Sequence, residues 1–255
     1  MKKRNIVVAN WKMNPETLDE AKRVFNNTRL AAKSLKNTDV VVCPSFPFIF
    51  SLAKLNSPKN LFLGGQNVWS ETKGAFTGEV SVEMIKSLGA KYSIIGHSER
   101  RLMGETNEVI RKKLQITFDA GLTPILCIGE KERDKDGSHL GFIRTQIKEC
   151  LVGLQKKHLV GIIIAYEPIW AIGKSYLEAM SPTDIHETVL FIKKVVSEFF
   201  GSDIAGSARI LYGGSVEAEN AGEIARIGNV DGFLVGHASL TSQFSDILKA
   251  VDMKR

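Results

Sequence analysis

At 255 residues, the chain is long enough for one large α/β domain or two small ones. Hydrophobic residues make up 44% and charged residues 24%, enough for a core under an ordinary soluble surface. No apolar run approaches the roughly 20 residues that cross a bilayer. The net charge of +6 is spread without a basic block or aromatic interleaving, which argues against membrane and nucleic-acid partners and favours small anionic ones.

The basic start Lys2-Lys3-Arg4 is followed only by the short apolar run Ile6–Ala9, too brief for a signal core. Cys43, Cys127 and Cys150 show no CxxC spacing and are odd in number, so a reducing, cytoplasmic setting is expected. The Asn26-Asn27-Thr28 sequon is then idle.

Eight β-rich runs recur along the chain: Ile6–Ala9, Val40–Cys43, Leu61–Leu63, Tyr92–Ile95, Pro124–Ile128, Val160–Tyr166, Ile210–Tyr212 and Phe233–Val235. Helix-prone segments separate them. Ile110, Leu114 and Phe118 share one stripe, as do Ile185, Val189, Ile192, Val196 and Phe199, and later Phe244, Ile247 and Val251. Asn14-Pro15 and Ser181-Pro182 are predicted helix starts, with Pro at the first helical position. Strict βα alternation implies a parallel sheet. Eight such units in one unlinkered chain predict an α/β fold, a closed (β/α)8 barrel of eight parallel strands ringed by helices, as a single domain over residues 1–255. No G-x-G-x-x-G follows the first strand, which weakens a dinucleotide-binding alternative.

In such a barrel the chemistry sits where strands end. Those ends carry Asn10 and Lys12, then Gln66 and Asn67, then His97, Ser98 and Glu99. Later ends carry Cys127 with Glu130, then Glu167, Gly213-Gly214-Ser215 and Gly236-His237. Glu167, alone where an apolar strand empties into a loop, is suited to taking a proton from carbon. Lys12 is placed to neutralise a bound anion or a developing enolate, and His97 to donate to a carbonyl oxygen. Glycines after the seventh and eighth strands let backbone N–H groups approach a phosphate. Together these groups suggest proton abstraction beside a carbonyl in a small sugar phosphate. With no HExxH, no CxxC and no Asp/His cluster of ligand spacing, no metal or cofactor is expected. Gly173-Lys174-Ser175 ends like a phosphate-binding P-loop, but Pro168 stands where that loop needs its first glycine.

The stretches Asn10-Trp11-Lys12-Met13-Asn14, Gly64-Gly65-Gln66-Asn67, Gly74-Ala75-Phe76-Thr77-Gly78-Glu79 and Ile95-Gly96-His97-Ser98-Glu99-Arg100-Arg101 are similar to the triosephosphate isomerase family. So are Cys127-Ile128-Gly129-Glu130, Ala165-Tyr166-Glu167-Pro168-Ile169-Trp170-Ala171-Ile172-Gly173, Tyr212-Gly213-Gly214-Ser215 and Leu234-Val235-Gly236. The resemblance spans essentially the whole chain and implies the TIM barrel that the strand count predicts.

It also implies roles. Glu167 would move the proton between the two carbons of the triose, and a neutral His97 would polarise the carbonyl and shuttle protons between oxygens. That pairing is one for which this family is itself the standard illustration. Lys12 would stabilise enediolate and phosphate charge, Asn10 would help position substrate, and Glu99 would support the site from its edge. Backbone amides of Gly173, Ser215 and Gly236 would hold the phosphate, with that of His237 beside them. Pro168–Gly173, with Trp170, would form a closing lid latched by Glu130, Tyr212 and Ser215. Thr77 would tip the interdigitating loop of a homodimer. The implied activity is interconversion of D-glyceraldehyde 3-phosphate and dihydroxyacetone phosphate, a step of glycolysis and gluconeogenesis, without a cofactor.

Two departures from the family pattern stand out. The lid continues Lys174-Ser175-Tyr176-Leu177-Glu178-Ala179-Met180-Ser181-Pro182, which adds two residues and replaces the second lid glycine with Ser175. A second glycine near the eighth strand is His237. A related barrel acting on another sugar phosphate, or a catalytically silent phosphate-binding barrel, are the alternative readings.

Overall fold

A computed structural model describes residues 3–134, 136–174 and 178–253. Strands β1 (Asn5–Asn10), β2 (Thr38–Cys43), β3 (Leu61–Gly65), β4 (Tyr92–Ile95), β5 (Thr123–Ile128), β6 (Ile163–Tyr166), β7 (Arg209–Tyr212) and β8 (Gly232–Val235) pair in sequence order, all in parallel, and close into a barrel. The expected architecture is therefore present. Closure joins β1 to β8, with Ile6 opposite Gly232. A Cβ on Gly232 would sit 1.8 Å from the Ile6 carbonyl oxygen, so only glycine lets the last strand reach the first.

Side chains alternate across each strand. Ile6, Val8, Val41, Ile94, Ile125, Cys127, Ile163, Ala165, Leu211 and Leu234 form one buried cluster that fills the barrel. Their neighbours Val7, Ala9, Val40, Val42, Ile95, Leu126, Ile164 and Ile210 pack outward in a second core beneath the helices. Burial on both faces is why the strands read as continuous apolar runs.

The helical ring comprises α1 (Leu18–Ala32), α2 (Phe46–Ala53), α3 (Val82–Ser87), α4 (Ser98–Leu102), α5 (Asn107–Asp119) and α6 (Ser138–Leu151). It continues with α7 (Lys156–Leu159), α8 (Pro182–Phe200), α9 (Ser202–Ser207), α10 (Ala218–Ile227) and α11 (Phe244–Asp252). Short 3-10 turns cover Ile169–Ala171 and His237–Leu240. Capping fixes several starts. The Ser181 hydroxyl accepts the Asp184 N–H at the head of α8, with Pro182 next in line as expected.

Most boundaries lie within two residues of the sequence reading, and two differ by three. The sixth strand begins at Ile163, not Val160: Val160 is 62% exposed and Gly161 turns at φ 73° after α7. Helix α1 begins at Leu18 under a Thr17 cap, while Asn14–Pro15 is a cis peptide within the preceding loop. Pro15 therefore lies in the loop before α1 and does not open the helix.

Candidate active site

Extending the inward rows of the barrel by one step reaches its mouth. After Ile6 and Val8 comes Asn10; after Ile163 and Ala165 comes Glu167; after Leu211, Gly213; after Leu234, Gly236. The alternation that buries the core thus aims these four positions into the opening. There a cavity of about 290 Å³ is lined by Asn10, Lys12, His97, Glu167, Gly173, Ser215, Gly236 and His237, among others. Residues separated by up to the length of the chain are brought together as the strand-end argument requires.

Lys12 adopts a left-handed backbone (φ 55°), a conformation that costs a non-glycine residue about 1–3 kcal/mol and persists only where neighbours enforce it. They do. The Asn10 side-chain oxygen accepts the Lys12 N–H at 3.1 Å. Gln66 Nε2 and Ser45 Oγ donate to the Lys12 carbonyl at 2.8 and 2.9 Å. The Lys12 side chain then lies over the mouth. A Cβ on Gly236 would lie 3.5 Å from Lys12 Cε and 4.0 Å from Nζ. The ammonium pairs with Glu99 Oε1 at 2.7 Å, which holds it at the edge of the cavity.

His97 caps helix α4 and is 6% exposed. Its Nδ1 accepts the Glu99 N–H at 3.2 Å, so Nδ1 carries no proton and Nε2 is the N–H of a neutral imidazole; the hydrogen-bond network assigns this tautomer. Nε2 faces Glu167 Oε1 at 3.2 Å. The other Glu167 oxygen accepts the Ser98 N–H, also at 3.2 Å, and the residue is 2% exposed. The carboxylate is buried and both its oxygens have partners. Gly213 makes room for it: a Cβ there would stand 2.9 Å from Glu167 Cγ. Cys127 lies on the same inner layer, its thiol pushed well up by burial and then by the nearby Glu167 charge.

The segment Pro168–Gly173 leaves β6 and is tied down at both limbs. Glu130 Oε1 accepts the Trp170 Nε1–H at 2.8 Å and the Tyr166 hydroxyl at 2.9 Å, and the Glu130 carbonyl accepts the Ile169 N–H at 2.9 Å. Ser215 Oγ lies 2.7 Å from the Ala171 carbonyl and 2.8 Å from that of Lys174, so its one proton can serve either. Glu130 and Ser215 thus both contact the Pro168–Gly173 segment, and Ser215 also its continuation at Lys174. Tyr212 is fully buried, and a Cβ on Gly214 would collide with its hydroxyl at 2.2 Å. The departure at Ser175, with Tyr176 and Leu177, lies outside the described residues.

Thr77 is exposed in the loop after β3 and lines neither this cavity nor the adjoining one of about 260 Å³. That second hollow is bounded by Lys12, Gln66, Glu79, His97 and Glu99, so it opens onto the far side of the same charged groups. His237 is exposed at the head of its 3-10 turn, where it and Gly236 line the cavity.

Sequence reasoning placed the side chains and missed their supports. Gln66, which helps lock Lys12, and Ser98, whose amide holds Glu167, stand among the strand ends the sequence singles out but without these roles, and Ser45, the other support of Lys12, gave no signal. Nor did Lys113. On the apolar side of α5 it is completely buried, its Nζ donating to Asn67 Oδ1 at 2.8 Å and Glu105 Oε1 at 2.6 Å.

The arrangement can do one kind of chemistry well. A carboxylate and a neutral imidazole donor meet at the floor of a small cavity, a cation flanks them, and glycine-bearing loops form the opposite wall. That is the equipment for moving a proton off carbon while an oxygen gains charge. A family model described as Triosephosphate isomerase matches residues 5–251. The chain is 40% identical to triosephosphate isomerase of Dictyoglomus thermophilum (strain ATCC 35947 / DSM 3960 / H-6-12) over 251 residues, 97% of this chain and 100% of that one. It is 41% identical to triosephosphate isomerase of Clostridium botulinum (strain Eklund 17B / Type B) over 246 residues, 95% of this chain and 98% of the relative. For triosephosphate isomerase of Aquifex aeolicus (strain VF5) the identity is 39% over 239 residues, 93% and 95% of the two chains. With the match running from the first strand to the last helix, the chain belongs to the triosephosphate isomerase family.

Proposed function

We propose that Glu167, His97 and Lys12 carry the interconversion of D-glyceraldehyde 3-phosphate and dihydroxyacetone phosphate that this isomerase performs. The Glu167 carboxylate takes a proton from the carbon beside the carbonyl and returns it to the neighbouring carbon. His97 Nε2–H donates to the carbonyl oxygen as it gains charge, which gives the enediolate, and the imidazole then moves the proton between the two oxygens. Lys12 Nζ stabilises the enediolate and the phosphate, leaving Glu99 to do so. Asn10 holds Lys12 and faces substrate. The amides of Gly173, Ser215, Gly236 and His237 take the phosphate, in the loops after strands seven and eight where barrels of this kind bind one. No cofactor takes part in any of these steps.

One observation carries the reading: Glu167 and His97 Nε2 meet at 3.2 Å on the floor of a cavity that also holds Lys12 and the late glycine loops. To reach carbon, the carboxylate must turn off the Ser98 N–H, and closure of the lid over the filled site excludes the water that would weaken each electrostatic contact. The Glu130–Trp170 and Ser215–Ala171 bonds are the contacts such closure rearranges.

A homodimer in the cytoplasm completes the proposal. The dimer is supported by exposed apolar side chains on the early βα loops and helices, among them Met13 (94%), Leu102 and Met103. Among the described residues no helix is long and apolar enough to cross a membrane. The test of function is a coupled assay on glyceraldehyde 3-phosphate with and without a phosphate-bearing enediolate analogue. Turnover blocked competitively by the analogue is expected; a folded protein without turnover would overturn the assignment of roles. Sedimentation equilibrium at micromolar protein tests the dimer, and a monomer there rejects it.

A further inference from the structure

Helix α4 is five residues long, yet it touches every reacting group. His97 caps it, the Ser98 N–H holds Glu167, and Glu99 holds Lys12. A helix this short has little stability of its own, so something must fix it. Strand pairing does not. The β4–β5 ladder stops at Ile95 opposite Leu126, one residue before the chain turns toward His97.

Arg101, in the last turn of α4, spans that gap. Its Nε donates to the Gly96 carbonyl at 2.8 Å and its Nη2 to the Cys127 carbonyl at 3.0 Å. These are the carbonyls of the next residue on each strand beyond the last pair. The planar guanidinium thus stands in for one more rung between β4 and β5, which a single ammonium could not do because it lacks the fixed fork. Its Nη1 donates to Asn107 Oδ1 at 2.6 Å, and Asn107 in turn donates to Glu149 on α6 at 2.8 Å. The fork is therefore held from behind by two helices.

We infer that Arg101 is a positioning residue for the isomerisation, setting the reach between His97 and Glu167 by clamping the ends of β4 and β5 beneath α4. The inference rests on the Glu167–His97 reading given above. Arg101 touches no substrate; it acts through the carbonyl just before His97 and through the helix whose first N–H holds the base. A displacement of about 1 Å at such a site is enough to cost about 100-fold in rate.

The test is steady-state kinetics on Arg101→Lys and Arg101→Ala, with Glu167→Gln assayed in parallel. Arg101→Lys is expected to lower kcat by about 10- to 100-fold while KM stays within about threefold and the circular dichroism spectrum is unchanged. Methylguanidinium added to Arg101→Ala is expected to restore part of kcat, which a purely stabilising role would not produce. A kcat for Arg101→Lys within threefold of the parent, or a loss in KM and fold together without rescue, would overturn the inference. If neither variant folds, Asn107→Ala decides: it frees the fork while keeping the charge, and an unchanged kcat would again reject the role. Retained activity in Glu167→Gln would instead sink the underlying reading, so the two failures are told apart.

Discussion

Glu167 and His97 stand in direct contact, with Oε1 3.2 Å from Nε2, while the Glu99 N–H fixes the imidazole as the neutral Nε2–H tautomer. Carboxylate and donor therefore already touch, and the carboxylate has only to turn off the Ser98 N–H to reach a substrate carbon. Replacing His97 with Gln keeps a donor but loses the ring's second nitrogen and its ability to pass a proton between two oxygens. A fall in kcat of about 10²- to 10⁴-fold is expected, with KM changed far less, read by the coupled assay. Equal kcat in the two proteins would remove His97 from proton transfer.

Among the described residues Lys12 is the only cation that lines the cavity on a left-handed backbone, and its neighbours keep it there. Lys12→Ala is expected to lower kcat by about 10²- to 10³-fold, as for loss of one preorganised electrostatic donor. Lys12→Arg should not restore it, because the fork carries its charge differently from an ammonium. Turnover of Lys12→Ala within a few-fold of the parent contradicts the role.

Gly213 sits on the same inward layer as Glu167, and a Cβ there would meet Glu167 Cγ at 2.9 Å. Gly213→Ala should leave the barrel folded, since the one tight contact is with a side chain and not with backbone, yet push the base off line. The expected loss is about 100-fold in kcat with a native circular dichroism spectrum. A variant as active as the parent would show that the space beside Glu167 has no role in aiming it.

Stability should fall on the alkaline side. Burial pushes up the thiols of Cys43 and Cys127, the latter aided by Glu167. It also pushes up the phenols of Tyr166 and Tyr212, with Glu130 adding to the shift at Tyr166. Above the ordinary thiol value of about 8.5 and phenol value of about 10, the unfolded chain releases these protons while the native state keeps them. The unfolded state then binds fewer protons, and unfolding free energy declines as pH rises. Lys113 acts in the opposite sense: burial lowers it, against the pull of Glu105, so its cost is relieved in the same range. Burial also raises Cys150 and Tyr92 and lowers Lys3, so six acids outweigh two amines. Urea midpoints should be lower at about pH 10 than at about pH 7.5 with the same m-value; a higher midpoint at the alkaline pH contradicts the balance.

Much of this was legible in the chain because burial on both faces makes each strand an apolar run, and because barrel topology gathers strand ends whatever their separation in sequence. Asn10, Lys12, His97 and Glu167 could be named from their positions alone. Val160 misled because the apolar pattern runs on through an exposed turn that only Gly161 betrays. The Ser98 amide could not be read because every residue but proline has one. Arg101 was quoted within a motif but gave no sign of bridging two carbonyls, since that depends on where two ladders stop. Lys113 looked like a surface charge because its partners, Asn67 and Glu105, lie on other elements.

The base is the centre of the account, and Glu167→Gln tests it most directly. The amide keeps the shape of the side chain and removes its capacity to take a proton. Steady-state turnover of glyceraldehyde 3-phosphate should drop by about 10²- to 10⁴-fold while binding of the enediolate analogue remains measurable. Turnover within a few-fold of the parent would mean that another group takes the proton from carbon.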